Sequence, residues 1–228
     1  MEVIIDKLLD LGFKRTPLPL REILVVNCVP GAGKTSFIRK LIQSDPNFEA
    51  FTTGKPDIPN LTGNYIAKWE GICSPDKVTI LDEYQRLTTY PEGVQVVFGD
   101  PTQSCKPFIL APHLTSFQTH RFGSETCNLL NSIGFPISSV KSDLVRIGDI
   151  FSEDLTGQVI CCEPEVEKLL TAHCVEYLNC EEVIGQTFET VTFVTANSIS
   201  KSNKQKHLVC LTRHSKELLI LCPDGLYV

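Results

Sequence analysis

Short apolar runs alternate along the chain with stretches whose apolar residues recur at helical spacing, the pattern of parallel sheets built from strand–helix–strand units. A first group of strands is expected at EILVVNCV (22–29), FEAFTT (48–53), KVTILDE (77–83) and GVQVVFGD (93–100). The Pro-containing segment PFILAPHLTSFQTHRF (107–122) then leads away to a second group. Its strands are expected at QVICCE (158–163), CVEYL (174–178), TVTFVTA (190–196), KHLVCLT (206–212) and ELLILC (217–222). The pattern predicts an α/β protein of two lobes, 1–115 and 116–228. Ahead of the first strand, Val3, Ile4, Ile5, Leu8, Leu9 and Leu11 outline a short amphipathic helix docked on the core. Glu2, Asp6 and Asp10 among them speak against a secretory signal. No apolar run approaches the roughly 18–20 residues that a membrane-spanning helix needs.

Composition narrows the function classes. With 228 residues, 42% of them hydrophobic and 21% charged, the chain can bury two cores and is not compositionally disordered. A net charge of -6 excludes a surface coated in positive field, so any nucleic-acid contact must be local. Ten cysteines occur without a CxxC pair and mostly inside apolar runs, which predicts reduced, structural thiols of a cytosolic protein. Cys161, Cys162, His173, Cys174 and Cys180 come nearest to a metal cluster. Adjacent residues on a strand point to opposite faces, so zinc is not expected there.

The chemistry gathers around ILVVNCVPGAGKTSFIRKLI, a buried strand, a Gly-rich turn and a helix. Gly31 and Gly33 let successive amides face inward at the helix start, and Pro30, Gly31, Ala32, Gly33, Lys34, Thr35 and Ser36 form a phosphate cradle. Lys34 is placed to reach the β and γ phosphates and the Thr35 hydroxyl to ligate Mg²⁺. The usual first glycine of the motif is Cys28. In VTILDEY four apolar residues run into two acids: Asp82 is expected to hold Mg²⁺, and Glu83 to orient and deprotonate the attacking water. The strand VQVVFGDPTQS breaks at Gly99 and presents Gln103, whose amide suits a γ-phosphate sensor.

In their order, the GAGKT, DE and GDPTQ motifs resemble those of superfamily 1 helicases, in particular the viral RNA helicases of alphavirus-like plant viruses. THRFG (119–123) is similar to the family's fourth motif, with Arg121 as the arginine that reaches the γ-phosphate. GQTFE (185–189) resembles the fifth, Gly185 and Glu189 falling on the nucleotide side and Thr187 on the strand side, with Ile184 where a Gln is usual. LVCLTRHSKEL looks like the sixth, with Thr212 and Arg213 at a strand end and Arg213 as a second arginine finger. The size and the opening most resemble the movement helicases of the triple gene block of potexviruses and related plant viruses. That resemblance implies two RecA-like P-loop NTPase lobes with parallel sheets, a minimal helicase core. It also implies an RNA-stimulated NTPase and RNA helicase using ATP and Mg²⁺, acting in cell-to-cell movement of viral RNA and in suppression of RNA silencing. The implied partners are single-stranded RNA, viral movement and coat proteins and further copies of the chain; the implied location is the host cytoplasm, at plasmodesmata.

Physical logic supports the arginines beside the resemblance. Charge develops on the transferring phosphoryl group, and an arginine supplied from another surface stabilises it. Arg121 and Arg213 both follow residue 115, so a role for both predicts hydrolysis coupled to lobe closure. RNA contact is expected from Thr53 and Lys55 in TTGKPD and from Lys201, Lys204 and Lys206 in a polar loop with His207. Trp69, Tyr84 and Phe122 could stack on bases or sit in the core. Two alternatives remain open at the level of sequence. A P-loop kinase leaves the DE, GDPTQ and TR motifs without roles. An RNA-binding, self-associating movement protein with vestigial turnover draws on the departures at Cys28 and Ile184.

Overall fold

The computed structural model describes residues 1–103 and 108–227. The chain divides into two compact units, Met1–Phe117 and Gln118–Val228. The expectation for Cys105 falls outside the described residues.

The first unit runs α1 (Glu2–Asp10), β1 (Lys14–Arg15), β2 (Leu24–Cys28), α2 (Lys34–Ser44), β3 (Phe48–Thr52), β4 (Ala67–Lys68), β5 (Val78–Asp82), β6 (Val96–Gly99) and β7 (Leu114–Ser116). Its strands form one sheet in the order β1-β7-β2-β6-β5-β3-β4, parallel except where β1 meets β7. All residues of β2 and β6 are buried, as central strands covered on both faces must be, and this is why both read as unbroken apolar runs. β6 lies between β2 and β5, so the Asp82 strand is one place removed from the Gly-rich turn. α1 is amphipathic as expected: Ile4, Ile5 and Leu8 are buried, while Val3, Leu9 and Leu11 are exposed.

The second unit runs α3 (Ser124–Ser132), β8 (Leu144–Asp149), β9 (Gln158–Cys161), α4 (Pro164–Ala172), β10 (Leu178–Asn179), β11 (Phe188–Val194), α5 (Lys204–Leu211) and β12 (His214–Cys222). Its five strands are parallel, ordered β10-β9-β11-β12-β8. Val159, Cys161, Val166, Leu170, Val194, Leu219 and Leu221 form one core between β9, β11, β12 and α4. Among the described residues no helix is long and apolar enough to cross a membrane.

Four sequence expectations change. KHLVCLT is helical: α5 buries His207, Leu208, Val209, Cys210 and Leu211 in succession, and a helix with such an unbroken buried run loses the period that separates it from a strand. Thr212 and Arg213 therefore follow a helix and precede β12. Of CVEYL only Leu178 enters a strand. Leu114–Ser116 does not lead away from the first sheet but joins it, pairing in parallel with Val26–Cys28. β8 was not anticipated; it is the sheet's edge, and its Leu144 and Ile147 are exposed.

Candidate nucleotide-phosphate site

β2 delivers the chain to the Gly-rich turn. Within that turn Gly31 (φ 76°) and Gly33 (φ 90°) take left-handed conformations, which only glycine adopts without strain. Gly33 is the N-cap of α2, so the first amides of the helix point into the turn without intrahelical acceptors. Pro30 and Ala32 are buried beneath the turn and Ser36 is exposed. Cys28 is the last residue of β2, paired with Ser116 across the sheet, and it is not among the positive-φ residues. The backbone at that position makes no demand for glycine. Burial pushes the Cys28 thiol up to about 12 against the opposing charge of Lys34, so it stays a neutral, small apolar wall of the site.

Three acids converge on this turn. Asp82, at the end of β5, is buried; its Oδ2 accepts a hydrogen bond from Thr35 Oγ1 at 3.1 Å and its Oδ1 accepts the Glu83 N–H at 2.9 Å. Asp100, directly after β6, is wholly buried. Glu83 has φ 59° and ψ 34°, a left-handed conformation that costs a non-glycine residue on the order of 1–3 kcal/mol and needs surrounding structure to hold it. Two neighbours do so: Thr53 Oγ1 donates to the Glu83 carbonyl at 2.6 Å, and Gln85 Nε2 donates to Glu83 Oε2 at 2.5 Å.

The Lys34 side chain is buried among these acids, and its ammonium makes no hydrogen bond with any described residue. Burial opposes its charge, but the acids around it, Glu83, Asp100 and Asp82, hold it protonated beyond the ordinary lysine range. Burial, followed by the charge of Glu83, raises the Asp82 carboxyl, while Lys34 and the Thr35 hydrogen bond pull it down. Burial likewise raises Asp100. The cluster thus holds one ammonium against three carboxyl groups in a dry setting, with a nest of free amides beside it. Such a set fits a Mg²⁺-bound triphosphate: Thr35 and Asp82 supply hard oxygen ligands for the ion, and Lys34 and the amides supply donors for phosphate.

Gln103 Nε2 donates to Asp100 Oδ2 at 2.5 Å, which turns the amide toward the acid cluster. Gln85 was missed by sequence reasoning. Its amide nitrogen holds Glu83 and its Oε1 accepts the Asp100 N–H at 3.2 Å, so one side chain fixes the β5 and β6 ends together. The signal available was a polar residue two places after the DE pair, inside an otherwise apolar neighbourhood. Gly99 permits this closeness: a Cβ there would lie 2.6 Å from Gln85 Oε1 and from the Tyr84 ring.

The remaining candidates are placed as follows. Thr53 serves Glu83 through its hydroxyl, and Lys55 beside it is exposed. Tyr84 is core, its hydroxyl donating to Asn27 Oδ1 at 2.9 Å, and Phe122 is also fully buried. Trp69 is half-buried, edge-on to Phe51. In the second unit Arg121 Nη1 donates to the Thr212 carbonyl at 3.1 Å. Arg213 is 1% exposed; its Nε donates to the Val209 carbonyl at 2.9 Å, Nη1 to the Val183 carbonyl at 3.4 Å and Nη2 to Thr212 Oγ1 at 3.0 Å. Gly185 (φ 82°) and Thr187 lie exposed before β11, and Glu189 is an exposed residue paired with Lys216. Lys201 and Lys206 are exposed, and Lys204 lies over the Phe135 ring at 4.4 Å at the start of α5. His207 is wholly buried rather than part of a polar loop.

Known proteins are similar to this chain in sequence and fold. The viral superfamily 1 RNA helicase core domain matches residues 24–222. The chain is 41% identical over 230 residues to the movement and silencing protein TGBp1 of Poplar mosaic virus (isolate ATCC Pv275), covering 100% of this chain and 99% of that protein. It is 42% identical over 229 residues to TGBp1 of Chrysanthemum virus B, with the same coverage, and 36% identical over 227 residues to that of Papaya mosaic potexvirus, covering 98% and 96%. Among solved structures, the arterivirus nonstructural protein 10 helicase in complex with DNA aligns with a TM-score of 0.56 at 19% identity. That alignment spans 96% of this chain and 56% of the arterivirus chain. Bacteroides Pif1 bound to ssDNA aligns with a TM-score of 0.53 at 12% identity, over 99% and 92%. Those structural likenesses show the fold, the RecA-like α/β architecture of superfamily 1 helicases. By its full-length likeness to the curated relatives and by the domain matched, the chain belongs to the viral superfamily 1 RNA helicases, in the TGBp1 branch of movement and silencing proteins.

Proposed function

We propose that this protein is an RNA-stimulated nucleoside triphosphatase and RNA helicase that serves virus movement between host cells and suppresses RNA silencing. The observation that carries the enzymatic reading is the buried Lys34 ammonium, held among Asp82, Glu83 and Asp100 at the mouth of an amide nest. The movement and silencing roles come from the names of the relatives, and the nucleic-acid partner from the helicase family. Lys34 and the α2 amides bind and orient the β and γ phosphates of ATP. Thr35 and Asp82 hold Mg²⁺, which when bound neutralises charge on the phosphate oxygens. Glu83, fixed in its left-handed conformation by Thr53 and Gln85, accepts the proton of the attacking water. Gln103 orients that water or the terminal phosphate. Arg121 and Arg213 carry the proposed charge-stabilising role of the second unit. Thr53, Lys55, Thr187, Lys201, Lys204 and Lys206 are the proposed RNA contacts, and host cytoplasm with plasmodesmata is the proposed location.

Thr53 ties two of these functions together. It belongs to the segment proposed to touch RNA and at the same time its hydroxyl holds the Glu83 carbonyl. A strand contact that shifts Thr53 therefore shifts the water-activating residue, which is a direct physical route to RNA stimulation. The extended backbone at Cys28 speaks against a crippled cradle and so against vestigial turnover. Phosphate release from Mg²⁺·ATP, measured with and without single-stranded RNA, tests the reading. RNA is expected to raise the rate, and Thr53→Val is expected to lower the stimulated rate more than the basal one. Equal rates with and without RNA in the wild type would remove the helicase reading.

A further inference from the structure

In the second unit Cys162, Glu163 and His207 are all buried, and their ligand atoms lie within 4.8 Å of one another. We propose that these three side chains form a site for a borderline-soft divalent cation such as Zn²⁺.

The topology explains the convergence. β9 ends at Cys161, whose side chain enters the core between β9, β11 and α4. Cys162 follows and therefore faces the opposite way, and Glu163 is the N-cap of α4. His207 comes from α5. Sequence reasoning set zinc aside because neighbouring strand residues diverge. The divergence is real for Cys161, but the partner, His207, lies on α5, which had been taken for a strand.

Three observations point to a cation rather than to an ordinary buried polar cluster. First, His207 Nε2 is buried with no hydrogen-bond partner among the described residues, and such orphaned atoms are rare in native interiors. Second, His207 Nδ1 lies 2.8 Å from the Tyr227 hydroxyl. With the Nδ1 proton donated there, the Nε2 lone pair is aimed at Cys162 and Glu163, the orienting contact that metal-bound histidines ordinarily have. Third, Nε2 is 3.6 Å from Glu163 Oε1. That is long for a hydrogen bond, yet it is close to the roughly 3.4 Å that separates two ligand atoms each about 2.1 Å from a tetrahedral zinc.

The surroundings are those of a structural metal. Tyr227 stacks on His207 at an interplanar angle of 11°, and Phe193 packs edge-on against both rings. Glu163 is itself held by the Thr195 hydroxyl at 3.0 Å and the Ala196 N–H at 2.6 Å. Binding releases the Cys162 proton, and the Cys162 thiolate and the Glu163 carboxylate balance the two positive charges, so no net charge need be buried. The cation would clamp α5 to the β9–α4 turn, and α5 is the element that leads directly into Thr212 and Arg213.

The full chain, stripped with chelator under reducing conditions and titrated with Co²⁺, provides the test. A thiolate-to-cobalt charge-transfer band saturating near one ion per chain, displaced by Zn²⁺, is expected. The band should be lost in Cys162→Ser and in His207→Gln and kept in Cys174→Ser, which removes an exposed thiol. Wild-type protein that develops no band overturns the proposal, whatever the variants do. So does a band that survives Cys162→Ser or disappears with Cys174→Ser. Should either ligand variant fail to fold, Zn²⁺ must still raise the melting temperature of the stripped wild type; no rise counts against the site.

Discussion

The two units treat their buried carboxylates in opposite ways. In the first, Asp82 and Asp100 are raised by burial, and Lys34, the cation among them, hydrogen-bonds to no described residue. In the second, Asp143 is pushed down to about 2: burial works to raise it, but His214 at 3.1 Å, the Thr126 hydroxyl at 2.6 Å and backbone amides at the start of α3 outweigh burial. Asp143 accepts everything a carboxylate can accept and holds α3 to β12. Asp100 accepts from Thr102 and Gln103, and Asp82 from Thr35 and the Glu83 N–H, yet burial still outweighs those bonds in both. The saturated Asp143 acts as scaffold, whereas acids raised by burial around a buried ammonium mark the place for a charged ligand.

Arg213 offers the largest test of that contrast, because it stands on both sides of it. As the buried donor to Val209, Val183 and Thr212 it is scaffold; as an arginine finger it is chemistry. Arg213→Ala is expected to lower phosphate turnover by about 10³-fold and also to destabilise the protein by about 3 kcal/mol through the lost charged hydrogen bonds. Thermal unfolding read beside kcat separates the roles. Turnover lost with the melting temperature unchanged would make Arg213 a finger and nothing more.

Gly99 comes next. Its Cβ-free approach to Tyr84 and Gln85 lets β5 and β6 end side by side, and overpacking of this kind costs about 1–3 kcal/mol. Gly99→Ala is expected to lower stability within that range in denaturant melts and to cut hydrolysis further than the stability loss explains, since Gln85 positions both Glu83 and Asp100. Unchanged activity would show that Gln85 is not part of the machinery.

The smallest effect is in pH. Asp143 has a folded value below its unfolded one, near 3.9, so its contribution to stability is present above that value and is lost as the pH falls toward about 2. Asp82 has the opposite sign. Its folded value is raised, so nucleotide-free protein is stabilised while Asp82 stays protonated, loses that contribution as the pH rises through its folded value, and regains stability when Mg²⁺ replaces the proton. Melting curves across pH with and without Mg²⁺ should differ most at high pH. A Mg²⁺ effect that does not depend on pH, or one that is abolished by Asp143→Asn, would dissolve the contrast between the units.

Most of the first unit was legible in the chain because its central strands end in chemistry: ILVVNC runs into the Gly-rich turn, VTIL into Asp82–Glu83, and VVFG into Asp100. The second unit was less legible for two reasons. α5 buries five consecutive residues, His207 to Leu211, so its apolar residues carry no period, and β8 is an edge strand whose exposed positions mix apolar and charged residues. The same failure hid the Cys162–Glu163–His207 cluster, because His207 lies on α5, which reads as a strand in the sequence. Gln85 and the hydroxyl of Thr53 were missed because a second layer of contacts depends on which strand ends meet, and local spacing does not encode that.

Phosphate release from Mg²⁺·ATP by wild type and Lys34→Ala, compared at equal folded fraction, bears most directly on the role of the loaded cluster. Lys34→Ala is expected to retain the fold and to lose at least about 10²–10³-fold in rate, the order expected when a positioned donor to developing charge is removed. A well-folded Lys34→Ala that releases phosphate at the wild-type rate would contradict the assignment of the first unit as the site of hydrolysis.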